Sequence, residues 1–164
     1  MTTNHHYILL DAAKMHTRIE EAKQYNRVHT CLYKGEAAEK LHTVAPWLFT
    51  YPRPSDFADW YLANGGRQYW GIIMESRADI KVVYLHLKKF LRVKTEAGER
   101  LYFRFYDPRV LPIFLETCTE AQLKTFFGPI DKFILESKNG QMIEYQFINN
   151  ELIKNKSEFF LQTS

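Results

Sequence analysis

Along this chain the apolar positions switch repeatedly between two spacings, every second residue and every third or fourth, and each spacing has a structural reading. The run HYILLDAA, residues 6–13, predicts a buried strand, and Met15, Ile19 and Ala22 then recur at helical intervals until QYNR. VHTCLYKG returns to alternation, with Val28, Thr30 and Leu32 on one face and His29, Cys31 and Tyr33 on the other, ended by Gly35. A short helix is expected around EAAEKL. The prolines of APWLFTYPRP (Pro46, Pro52, Pro54) predict an extended segment at a sheet edge or a rim loop.

Ser55 is placed to cap a helix that carries Phe57, Trp60 and Tyr61 on one face and stops at Gly65-Gly66. QYWGIIMES (68–76) reads as a core strand, and Ser76-x-x-Asp79 as a capping box. The helix behind it places Ile80, Val83, Tyr84, Leu87, Phe90 and Leu91 on one stripe. RVKTEAGERLYFRFY is a hairpin turning at Ala97-Gly98, with Leu101, Phe103 and Phe105 on one face of its second strand and Tyr102, Arg104 and Tyr106 on the other. Thr119-x-x-Gln122 opens a helix containing Leu123, Phe126 and Phe127, terminated by Gly128-Pro129, and a last hairpin turns at Asn139-Gly140. Alternating strands and helices imply an α/β fold, and the hairpins exclude a purely parallel sheet. The expected organisation is a single domain over 1–148, with a mixed β-sheet flanked by helices, followed by a short polar tail over 149–164 whose apolar positions are Leu152, Ile153 and Phe159–Leu161.

Composition sharpens this. The 164 residues suffice for one core, and 46% hydrophobic with 15% aromatic content describes a packed globule with aromatic surplus. The net charge of +3 is too small to mark a nucleic-acid binder, although residues 79–109 hold eight Lys/Arg against four Asp/Glu, a mildly basic face. MTTNHHYILLDAAK has no basic stretch leading into a long apolar run, and no segment approaches the roughly 18–20 apolar residues of a membrane span. A cytoplasmic protein without membrane attachment is expected.

Motifs of standard chemistry are missing from the sequence. Neither GxGxxG nor GxxxxGK[ST] occurs, and the six histidines (His5, His6, His16, His29, His42, His86) form no HExxH. Cys31 and Cys118 show no ligand spacing and read as buried thiols, although His29 and Cys31 share a strand face. No cofactor or metal is expected. Lys81, Lys88, Lys89, Arg92, Lys94, Arg100, Arg104 and Arg109 interleave with aromatics as in single-strand binding platforms, but the helical lysines lie off the apolar stripe of an ordinary amphipathic helix.

The densest stretch is FRFYDPRVL, residues 103–111. Phe103 and Phe105 anchor a strand, Asp107 sits where an N-cap accepts the Val110 N–H, and Pro108 takes the first helical position. Pro112 lies too deep for such a helix, so either the first turn is irregular or the regular helix begins later. Arg104 and Arg109 are left over. Either they hold the protein's own carboxylates, or Tyr102, Arg104, Tyr106 and Arg109 form a partner-binding edge. A rival reading makes Asp107 an acid/base group, with Arg104 and Arg109 clamping an anionic substrate.

LYFRFYDPRVL (101–111), with FFGPIDKFILE (126–136), YWGIIMES (69–76), HLKKFLRVKTEAGERL (86–101) and LYKG (32–35), resembles the bacterial domain-of-unknown-function family of type VI secretion effector chaperones, or effector adaptors. The resemblance runs in order from about Tyr7 to Glu136. It implies a cytosolic, non-catalytic protein that binds a toxin effector and helps load it onto the spike protein (VgrG). The family's FRFYDPR falls on Phe103, Arg104, Phe105, Tyr106, Asp107, Pro108 and Arg109, and its FFGP on Phe126 through Gly128 and Pro129. The long C-terminal extension of many relatives is not expected here, and contacts made through it are not expected to carry over.

Overall fold

A computed structural model describes residues 3–161. Strand β1 (His5–Asp11) is an interior strand of a seven-stranded sheet, pairing with β3 (Pro46–Thr50) on one side and β4 (Gly71–Ser76) on the other. Beyond β3 lies β2 (His29–Cys31); beyond β4 follow β7 (Ile130–Glu136), β8 (Met142–Ile148) and β9 (Glu151–Lys156). A separate two-stranded ribbon joins β5 (Arg92–Lys94) and β6 (Arg100–Tyr102). The expected single α/β domain is present, with helices flanking the sheet, and its described strand pairs are all antiparallel. The geometry requires this, because the excursion from β1 to β3 returns to the edge it left, Asp11 facing Pro46, as does that from β4 to β7, Ser76 facing Ile130.

Both faces of the sheet are covered, which explains the unbroken apolar run of β1. Ile8 and Leu10 point toward α1 (Ala12–Met15), α2 (Arg18–Tyr25) and α4 (Asp56–Asn64), in a cluster with Phe49, Phe57, Trp60 and Trp70. Tyr7 and Leu9 point the other way, toward α5 (Ile80–Lys88), α6 (Leu111–Thr117) and α7 (Glu120–Phe127), with Phe105, Phe126 and Phe133. Leu9 is fully buried, so truncation to Ala costs about 2–5 kcal/mol. Helix α3 (Gly35–Leu41) has no buried residue and lies on the surface. No helix among the described residues is long and apolar enough to cross a membrane.

Several elements depart from the reading of the sequence for identifiable reasons. The helix expected around Met15, Ile19 and Ala22 breaks into α1 and α2 at His16, whose φ is 53°, yet all three residues stay buried. Strand β3 is interior rather than at an edge. Pro46 stands at its first position, where a strand tolerates the missing N–H, and Pro52 and Pro54 fall after its end. Asp79 alone caps α5, accepting the Val82 N–H at 3.1 Å, whereas the Ser76 hydroxyl donates to the Pro129 carbonyl at 2.6 Å. Residues 149–161 are not a polar tail. Asn149 and Asn150, with φ of 51° and 63°, make a tight two-residue turn, and β9 pairs with β8 from Glu151 to Lys156. Phe159 is then buried against the sheet; residues 162–164 of the expected tail lie outside the described residues.

Candidate functional site

The site forms where β1 ends and the chain leaving β6 crosses over it. Asp11 closes β1 and caps α1, its Oδ1 accepting the Ala13 N–H at 3.0 Å. Its Oδ2 accepts a charge-assisted hydrogen bond from Arg104 Nη2, although the two residues are 93 positions apart. The Asp11 side chain is 1% exposed and that of Arg104 46%, so a buried carboxylate is held by a cation with one side in water. Burial pulls against the Arg104 charge, but the hydrogen bond and attraction from Asp11 outweigh it and raise its pKa.

Regular strand geometry ends at Tyr102, and this decides the rest of FRFYDPRVL. Beyond Phe103, whose N–H donates to the Leu91 carbonyl at 2.8 Å, the chain turns, with the Asp107 N–H donating to the Arg104 carbonyl at 3.0 Å. Alternation therefore fails, and Tyr106, expected beside Arg104 on the outer face, is buried at 3% exposure. Burial, with Asp11 and Tyr33 nearby, raises its pKa, and the neighbouring Arg104 offsets this only in part. Tyr102 stays 50% exposed, its ring 5.7 Å from that of Tyr33. Phe103 packs on Phe114 at 4.7 Å, and Phe105 is fully buried.

Asp107 does not cap Val110 with its side chain. Its Oδ1 accepts the Arg109 N–H at 2.9 Å and Nε at 3.0 Å, and its Oδ2 accepts Nη2 at 2.8 Å. Its backbone carbonyl instead receives the Val110 and Leu111 N–H groups at 2.9 and 3.1 Å, and α6 begins at Leu111. Pro108 is thus a buried residue ahead of the helix, and Pro112 falls in the first turn, where its missing N–H does no harm. Burial pushes the Asp107 pKa up, but the bonds from Arg109 and the charges of Arg109 and Lys14 outweigh it, leaving it lowered and the carboxylate ionised at neutral pH.

Reasoning from the sequence missed the residues that complete this cluster. Lys14 and Arg109 lie over the Tyr69 ring, at 5.5 and 5.9 Å from its centroid. Lys14, Arg104 and Arg109 therefore surround two carboxylates, Asp11 and Asp107, leaving one positive charge in excess. The available signal was the carboxylate ending an apolar run at Asp11, since a charge there needs a partner.

The other sites weighed from the sequence take definite places. FFGP is a joint: Phe126 and Phe127 are core residues, and Gly128 (φ 47°) ends α7 against the His86 ring, whose Nε2 lies 2.6 Å from the Phe126 carbonyl. Cys31 and Cys118 are free and half-buried, and burial raises both thiol pKa values. His29 turns its Nδ1 to the Asn26 carbonyl at 2.8 Å rather than to Cys31. Among the described residues no cluster of His, Cys, Asp or Glu is built to hold a metal ion. A cavity of about 240 Å³ beside Pro108, lined by Tyr61, Tyr69, Ile73 and Phe160 among others, is not bordered by Asp107.

Residues 6–125 match the family described as Domain of unknown function (DUF4123). The match contains FRFYDPRVL and stops one residue short of FFGP. No curated protein and no solved structure matches the chain.

Proposed function

The chain belongs to that family, which is associated with type VI secretion effectors, and from this premise we propose that it is a cytoplasmic, non-catalytic chaperone or adaptor. It binds a toxin effector and helps load it onto the spike protein VgrG. The observation that carries the reading is the family match across most of the chain. The site geometry supports the non-catalytic half, because both oxygens of Asp107 are engaged by Arg109. A general base or acid works best with a pKa near the working pH, whereas the pKa of Asp107 is lowered.

The contact edge is centred on Tyr102 and on the outer faces of Arg104 and Arg109, whose inner faces the protein occupies itself. Half-exposed arginines already oriented by buried carboxylates lose less freedom on meeting a partner than mobile ones. Tyr106 belongs to the foundation of this edge, not to its surface.

The test is co-expression with the effector and spike encoded beside the gene, followed by affinity capture through this chain. Retention of the effector supports the reading; failure to retain either neighbour rejects it. Turnover of an anionic substrate that Asp107→Asn abolishes would replace it with the enzyme reading.

A further inference from the structure

The ribbon β5–β6 stands apart from the main sheet, and all six of its strand residues are exposed. Its register sorts the side chains into two faces, because residues directly opposite in an antiparallel pair share a face. Val93 faces Leu101 on one side; Arg92 faces Tyr102 and Lys94 faces Arg100 on the other. The second face therefore carries three cations and one aromatic ring. Among the described residues none of the three makes an ion pair. Arg92 instead lies 5.2 Å over the Tyr102 ring.

Two features of this face are unfavourable in the isolated protein. Like charges directly opposite each other, as Lys94 and Arg100 are, destabilise a strand pair. A two-stranded ribbon outside any larger sheet is marginal by itself, and each strand leaves one edge of N–H and C=O groups unpaired. An extended anionic polypeptide answers both. Alternate side chains of a strand lie roughly 6.6–6.8 Å apart, so acidic residues at every second position of a partner strand repeat at the spacing of Arg92 and Lys94. The ribbon's own acidic residues do not compete. Glu96 lies in the turn, and alternation directs Glu99, paired with Thr95, to the Val93–Leu101 face.

We propose that the Arg92–Lys94–Arg100–Tyr102 face of the ribbon is a docking site for an extended acidic segment of a partner protein. The inference rests on the adaptor reading for the source of that segment, the bound effector. Polypeptide is favoured over single-stranded nucleic acid by the open backbone edges, which pair with peptide groups and not with a sugar–phosphate chain. A stacking platform also presents successive free rings, whereas Arg92 already covers the Tyr102 ring.

The test uses the full chain and a fluorescently labelled short peptide alternating Glu and Thr, with an alternating Gln and Thr peptide and a labelled oligothymidine as comparators, read by anisotropy. The acidic peptide is expected to bind at least about tenfold more tightly than its Gln counterpart and to weaken as salt rises. Lys94→Gln/Arg100→Gln is expected to weaken it by about tenfold or more while keeping or raising the unfolding temperature, because the like-charge pair is relieved. Arg92→Gln supplies an independent variant with the same expectation. Equal binding of the two peptides, indifference to both variants, or tighter binding of oligothymidine would overturn the proposal.

Affinity capture of the neighbouring effector separates this inference from the adaptor reading. Capture by the native chain and not by Lys94→Gln/Arg100→Gln supports both. Equal capture by the two overturns the ribbon as the docking site and leaves the adaptor standing. No capture by the native chain rejects the adaptor, and the peptide comparison still decides whether the ribbon takes an acidic strand.

Discussion

Replacing Arg104 by Ala tests how the protein holds the end of the buried strand β1. The change removes the charged partner of Asp11, whose side chain is 1% exposed, while the Ala13 N–H remains bonded to the other carboxylate oxygen. Two magnitudes compete. A solvent-exposed ion pair is worth about 0–1 kcal/mol, whereas leaving a buried polar group without its partner costs about 1–3 kcal/mol. The half-exposed Arg104 argues for the lower figure and the buried Asp11 for the higher. Burial of the group left behind decides the matter, because Oδ2 of Asp11 loses its partner at a position that water does not fully reach. Each kcal/mol lowers the melting temperature of a domain of this size by roughly 2–4 °C, so a cost of about 2 kcal/mol lowers it by about 4–8 °C. Thermal unfolding followed by circular dichroism reads this directly. The companion Asp11→Asn/Arg104→Ala keeps the cap and removes the stranded charge, so it is expected to melt above Arg104→Ala alone. An Arg104→Ala protein that melts with the native chain would refute the reasoning and show that the guanidinium contributes nothing to the fold.

Asp107, whose folded-state pKa is lowered, contributes stability that is present above its unfolded value near 4 and is lost as pH falls through the folded value. Urea midpoints of the native chain and Asp107→Asn are therefore expected to differ near neutral pH and to converge in acid; a constant gap would refute the assignment. Gly128→Ala places a Cβ 2.4 Å from the His86 ring on a backbone with φ of 47°, and a loss of about 2 kcal/mol or more in chemical denaturation is expected. Asn150→Val forces a β-branched residue to a φ of 63°, and hydrogen exchange is expected to speed up in β9 before it does in β1; uniform protection would mean that the turn does not hold the outer strand.

Local chemistry made much of the fold legible. Ser55 caps α4 through the Ala58 N–H at 3.0 Å, and Thr119 and Gln122 form the full capping box of α7. Gly98 and Gly140 take the positive φ of their hairpin turns, at 85° and 84°. Each of these is settled within a few residues, so the sequence pattern suffices. The Asn149-Asn150 turn obeys the same rules, but two asparagines are a weaker signal than Asn-Gly, and the polar residues around Leu152 and Ile153 concealed a strand with a single apolar residue on each face.

What the sequence by itself determined is most of the local elements, the joints at FRFYDPRVL and FFGP, and the presence of two arginines whose partners it left open. Only the tertiary structure decided that Arg104 meets Asp11, that Arg109 and Lys14 meet over Tyr69, that Tyr106 goes inward, and that the ribbon's cations make no ion pair among the described residues. The reason is range. Caps and turns depend on backbone groups a few positions away, whereas the partner of a charge depends on which strand the sheet brings beside it, and that order is set by burial summed over the whole core.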